Sequence, residues 1–165
     1  MGIVGLLASL AVPAMANLVA QFRESSMANA FVASVHLARG EAIHRNARVV
    51  LCKSANGLSC SDVGGWEAGW IMFHDANNNA KLDPQETLLQ VQMFSHSRIR
   101  FSGNEPVADY ISFTGLGLPK KASGEFQAGT LTLCSQSAES VTGRRLVLSK
   151  PGNLRTDKAT LGQCD

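Results

Sequence analysis

The stretch NLVAQFRESSMANAFVASVHLARGEAIHRN, residues 17–46, decides how the rest of the chain is read. Within it Met27, Phe31, Val35, Ala38 and Ala42 recur at spacings of four, four, three and four, the period of one helix face. Arg23, Glu24, Asn29, His36, Arg39, Glu41 and Arg45 fall largely off that face. The pattern predicts an amphipathic helix over residues 23–46. Upstream, MGIVGLLASLAVPAMANLVAQF, residues 1–22, is apolar and precedes the first charged side chain, Arg23. As a helix it would run about 33 Å, enough to cross a bilayer core. No Gly-Pro or Asn-Gly punctuation separates the two stretches, so they read as one long helix, kinked near Pro13. A helix of that length is unusual inside a compact domain. The competing reading is a secreted protein cut after Ala14-Met15-Ala16, leaving Asn17 as the mature N-terminus. It lacks the basic region that precedes the apolar run of a signal peptide.

Beyond Asn46 the period changes to two and β-branched and aromatic residues take over. Strands are expected at residues 48–54, 70–73, 88–93, 98–102, 110–113, 130–134 and 144–148, with a short one at 153–155. Gly, Asn, Ser and Pro clusters separate them. The expected fold class is α+β: a membrane or filament helix over 1–22, its amphipathic continuation over 23–46, and an antiparallel β domain, sheet or sandwich, over 47–165. Such a sheet needs a cover for its apolar face, and the amphipathic half of the helix supplies one. The 165 residues suffice for one such unit with an appendage. A net charge of +2 makes no case by itself for a polyanionic partner. The four cysteines lack CxxC pairs, which argues against zinc and for disulfides in an oxidising compartment, against four buried thiols in a cytosolic protein. Three pairings are possible. The short Ser/Asn/Gly segment between Cys52 and Cys60 reads as a hairpin loop and favours Cys52–Cys60 with Cys134–Cys164.

No catalytic set emerges, and no cofactor is called for. His36 and His44 fall on the helix, His74 and His96 near strand ends, and no GxSxG, HExxH or P-loop is present. The loop DANNNAKLDPQE does place Asp75, Asn77, Asn79, Lys81 (through its carbonyl), Asp83 and Glu86 at positions 1, 3, 5, 7, 9 and 12 of a calcium loop. Ala80 stands where such loops carry glycine, and Asx side chains commonly cap their own backbone in tight loops. Calcium and a self-capped hairpin loop are the two readings. Trp66 and Trp70 are expected in the core or against the sheet, and Arg39, Glu41 and Arg45 on a solvated face.

The order of these segments resembles the GspH/FimT family of minor pilins and pseudopilins. The resemblance rests on the proline in the apolar helix, ARGEAIHRN at the helix end, the Leu51-Cys52 strand, Gly69-Trp70-Ile71 with Asp75, Gly129 through Cys134, and PGNLR. It implies a non-enzymatic subunit of a type IV pilus or type II secretion pseudopilus. Its helix would sit in the bacterial inner membrane with the domain in the periplasm, then pack with other subunits in a filament. Leu6, Leu7, Leu10, Pro13, Leu18 and Phe22 would form that stem. It further implies that a basic leader, a glycine and a Phe-Thr-Leu-Ile-Glu stretch precede Met1. Some pilins of the family use a GRxR-like motif near the C-terminus to bind DNA during natural transformation. Here Gly152 and Arg155 match it and Asn153 replaces the first arginine. Lys150, Lys158, Arg144 and Arg145, with Lys120 and Lys121 on another loop, could supply phosphate contacts. A DNA-capturing subunit is therefore the alternative to a purely structural one.

Overall fold

The computed structural model describes residues 2–95, 98–135, 141–161 and 164. One helix, α1 (Gly2–Arg45), is followed by eight strands: β1 (Val49–Lys53), β2 (Gly69–His74), β3 (Leu88–Met93), β4 (Ile99–Gly103), β5 (Tyr110–Phe113), β6 (Gly129–Ser135), β7 (Val141–Leu148) and β8 (Leu154–Leu161). The helix runs without a break through Pro13. It stops where Asn46 takes a left-handed conformation at φ 49°, letting the Ala47 N–H reach back to the Ala42 carbonyl at 3.1 Å. That bond satisfies a carbonyl the helix end would otherwise orphan.

The strands form two four-stranded sheets, sheet A in the order β3-β2-β1-β5 and sheet B in the order β4-β6-β7-β8, and every pairing is antiparallel. Each turns one apolar face to a common core. Val49, Leu51, Trp70, Met72, Ile111 and Phe113 come from sheet A, and Ile99, Phe101, Leu131, Leu133, Leu146 and Leu148 from sheet B. The helix enters this core with Met27, Phe31, Val35, Ala38 and Ala42, all fully buried. Phe31 stands at the centre, edge-on to Phe101, Trp66 and Trp70 at ring-centroid distances of 4.8, 5.1 and 5.2 Å. These are the separations and tilts aromatic quadrupoles prefer. The indole N–H groups are satisfied too, Trp70 donating to Ser34 Oγ at 2.9 Å and Trp66 to the Val107 carbonyl at 3.2 Å.

A smaller core lies on the other face of sheet A, where Val50, Cys52, Ile71 and Phe73 are covered by Cys60, Ala80, Leu82 and Tyr110. The loops after β1 and β2 supply this cover, which explains why β1 reads as a continuous apolar run and not an alternating one. Cys52 is bonded to Cys60 and Cys134 to Cys164, the pairing favoured by the hairpin-loop reading. The seven longer strand expectations hold to within three residues at each end. The eighth differs: the short strand expected at 153–155 is the start of β8, which pairs with β7 from Leu154 opposite Leu148 to Leu161 opposite Val141.

Candidate functional site

Upstream of Glu24 the helix leaves the domain. Met15, Leu18, Val19 and Phe22 are 67, 52, 44 and 66% exposed, so the stem presents large apolar side chains that no described residue covers. The side chains of Leu6, Leu7, Leu10 and Pro13 lie outside the described set, as does His96. Among the described residues no helix is long and apolar enough to cross a membrane.

At the neck Glu24 is buried, 3.8 Å from Arg144 Nε, and Arg144 Nη2 donates to Ser25 Oγ at 2.8 Å. Burial raises the Glu24 pKa above its ordinary 4.5, and Arg144 opposes the shift. The desolvation of the carboxylate outweighs its attraction to the guanidinium. A cleft of about 350 Å³ opens here between Gln21, Ser25 and the β7–β8 pair.

At the other end of the embedded helix Arg39 is not part of a solvated face. Its Nη1 donates to the Gly152 carbonyl at 3.1 Å and to Asn153 Oδ1 at 3.2 Å, in the turn joining β7 to β8. Gly152 sits at φ +86°, and a Cβ there would meet the Gly117 carbonyl at 2.9 Å. The Gly-Asn pair of the C-terminal motif is therefore a docking point for the helix within this chain. Nothing local in the sequence signals a contact between residues 113 apart. Arg45 and Glu41 do pair with each other, at 2.7 Å one helical turn apart.

The basic set proposed for phosphate contacts is divided. Arg144 lies opposite Lys158, and Leu146 and Leu148 on the same strand at even spacing point to the core, which places Arg144 and Lys158 on the helix side of sheet B. Arg145 and Arg155 fall on the outer side. Arg155 is held by Asp157 at 3.0 Å, Lys121 by Glu105 at 3.1 Å, and Lys150 stands exposed at the turn.

The Asp75–Glu86 loop is bonded within itself. Asp75, 1% exposed, accepts from the Asn79 and Ala80 N–H groups through its two oxygens at 3.1 and 3.0 Å. Glu86 accepts from Ala76 and Asp83, and the Asn77 and Asn79 amides converge on Asp83 Oδ2 at 2.7 and 2.8 Å. Asn78 and Ala80 take φ values of 61° and 59°, conformations these bonds hold in place. Among the described residues no group of three or more His, Cys, Asp or Glu is arranged to hold a metal ion. His36 and His44 are exposed on the helix and His74 is half-buried.

The family model described as Type II transport protein GspH matches residues 27–152, from the first fully buried helix residue to the turn that Arg39 holds. The chain belongs to that family. Among solved structures this GspH-family chain is similar to the type IV minor pilin FimU of Pseudomonas aeruginosa strain PAO1. In one crystal form of FimU the TM-score is 0.62 at 14% identity, over 88% of this chain and 97% of that one. In a second form the TM-score is 0.53 at 15% identity, over 86% and 99%. The minor pseudopilin EpsH from the type 2 secretion system of Vibrio cholerae aligns at 14% identity over 82% and 96%, with a TM-score of 0.49. None of the curated proteins matches the chain. At such identities the likeness to FimU is one of fold.

Proposed function

We propose that this chain is a structural subunit of a helical filament, either a minor pilin of a type IV pilus or the corresponding pseudopilin of a type II secretion system. It has no catalytic role. The observation that carries this is the division of α1: one face of residues 24–42 is buried against the two sheets, whereas Met15, Leu18, Val19 and Phe22 project with their apolar side chains uncovered. An exposed apolar helix face of this kind needs another apolar surface. A bilayer meets that need before assembly, and the helices of neighbouring subunits meet it afterwards. The GspH-family membership supports the same assignment. The stem would then anchor the subunit in the inner membrane, the disulfide-bonded domain would lie in the periplasm, and the partners would be other pilin or pseudopilin subunits.

The test is complementation of a deletion strain with the wild-type gene or with Leu18→Glu/Phe22→Glu. Both positions are exposed, so the domain should keep its melting temperature while piliation or secretion is lost. A strain whose pili and secretion survive deletion would refute the assignment. Loss of transformation alone would transfer the function to DNA capture.

A further inference from the structure

The neck cleft is polar, and the filament assignment leaves it without a task. It opens where α1 leaves the sheets, with a volume of about 350 Å³, between one face of the helix and the β7–β8 pair. Gln21 and Ser25, four residues apart and so on one helix face, line it from α1. Arg144 and Lys158, directly opposite each other in the strand register, line it from sheet B. Thr160, two residues further along β8, falls on the same side of the sheet and lines it too.

The charges there do not cancel. Glu24 is the only acid among the described residues that line the cleft, and its side chain is 10% exposed beside Arg144. Arg144 directs Nε to that carboxylate at 3.8 Å and Nη2 to Ser25 Oγ at 2.8 Å, which leaves Nη1 without a partner among the described residues. Lys158 is exposed and forms no ion pair with any described carboxylate, and the same holds for Arg23 beside the cleft on the helix. Three cations against one acid give the neck a local net charge of +2. Gln21, Ser25 and Thr160 add neutral hydrogen-bonding groups. Cations with amide and hydroxyl groups around a small space suit a phosphate ester bearing a polyol. A cleft of about 350 Å³ takes one such group, not a duplex. The position of the cleft supplies the source. Phe22 ends the exposed apolar stretch of the stem, and Ser25 stands three residues on, about 4.5 Å further along the axis. A bilayer of about 40–45 Å has a hydrocarbon core of about 30 Å, so each headgroup layer is roughly 5–7 Å deep. With Phe22 at the hydrocarbon boundary the cleft lies in that layer.

We propose that the neck cleft binds the headgroup of an anionic glycerophospholipid, a phosphodiester carrying an uncharged polyol, while the subunit is stored in the membrane. This rests on the membrane-stored stem of the filament assignment. The phosphate lies against Arg144 and Lys158, with Arg23 adding attraction from the helix, and the polyol hydroxyls meet Gln21, Ser25 and Thr160. A zwitterionic headgroup would bring an ammonium among three cations and is disfavoured. Departure of the stem into a filament then requires release of the headgroup.

The experiment is native mass spectrometry of the full chain in a non-ionic detergent with equimolar phosphatidylglycerol and phosphatidylcholine of matched acyl chains. Wild type should retain one phosphatidylglycerol at least about fivefold over phosphatidylcholine, the factor that a single cation contributes near an anionic surface. Lys158→Gln, at an exposed position, should remove most of that preference, and so should Arg144→Gln once its melting curve shows a folded domain. Arg145→Gln takes the same charge from the outer side of sheet B and should leave the preference intact. Equal retention of the two lipids by wild type would overturn the proposal, as would equal losses in Lys158→Gln and Arg145→Gln. Free glycerol 1-phosphate is the second probe. If it binds as tightly as the lipid, the cleft serves a soluble phosphate ester and the lipid assignment falls. It falls too if a DNA duplex is retained without any lipid preference and Lys158→Gln alone releases it. Flotation with phosphatidylcholine vesicles tests the stem separately. A wild type that floats without lipid preference would remove this site and leave the filament assignment standing, whereas failure to float would remove the membrane reading and this proposal with it.

Discussion

Replacing Phe31 with alanine should be among the most damaging single changes in the domain. The ring is fully buried and meets Trp66, Trp70 and Phe101 edge-on within 5.2 Å. A Phe→Ala change in such a core costs about 3–5 kcal/mol, the range set by how far the site can collapse. The upper half applies here, because three large rings from the flanking segments already sit in place and leave little slack to fill the cavity. For a chain of this size each kcal/mol shifts the melting temperature by roughly 2–4 °C, so a fall of about 10 °C or more is expected. Phe22→Ala is the internal control. The same ring lies nine residues upstream, two-thirds exposed, and its removal should change stability by no more than about 0.5 kcal/mol. Both variants are measured by urea denaturation of the full chain in detergent, with disulfides intact. A loss below about 1 kcal/mol for Phe31→Ala, or equal losses for the two variants, would refute the placement of the helix at the centre of the core.

Three further outcomes follow from contacts away from that cluster. Arg39→Ala should destabilise by about 1–3 kcal/mol in the same denaturation assay, because its Nη1 bonds two acceptors of the β7–β8 turn; Arg39→Lys, which lacks the planar fork, should restore only part of this. Asp75→Ala should cost about 1–3 kcal/mol by orphaning the Ala80 N–H and leaving the Asn79 N–H only its bond to Asn77 Oδ1, and equally so in EDTA and in millimolar calcium; a loss confined to calcium would reinstate a bound ion. Glu24 binds its proton more tightly in the folded state than in the unfolded one, so its favourable contribution is complete below the unfolded value near 4.5 and is lost as pH rises through the folded pKa. Glu24→Gln should therefore gain stability relative to wild type as pH rises above the unfolded value near 4.5, and a relative loss there would show that the Arg144 pair dominates burial.

What was legible in the sequence is what repeats locally. The five helix positions at helical spacing are the five that enter the core, and the alternating β-branched runs became the strands. β8 was underestimated because Thr156 to Leu161 mixes Thr, Asp, Lys and Ala without a β-branched or aromatic run. It is a strand because it lies on the sheet edge and β7 pairs along its whole length, a tertiary cause that propensity does not carry. Lys53 shows the same limit: a lysine in a strand reads as solvent-facing. It is buried here, its ammonium held by Asp109 at 2.7 Å and the Gly64 carbonyl at 2.8 Å. The candidate site divided along similar lines. The Asx pattern of residues 75–86 announced a tight loop correctly in either of its readings. The C-terminal basic run gave no hint that Arg144 and Lys158 face the helix while Arg145 and Arg155 face away, since strand register decides that.

The embedding of α1 also sets how the molecule bears force. A tether joined to a domain by a loop would pass tension to one strand and peel it off, one ladder bond at a time. Here the stem continues unbroken into the wedge between the sheets, with Met27, Phe31, Val35, Ala38 and Ala42 seated along four turns of helix. A pull on the stem therefore loads all five seats at once, in shear along the helix axis. Arg39, bonded to the turn at the far end, adds a stop against sliding. The domain is built to be dragged by its helix without being unravelled.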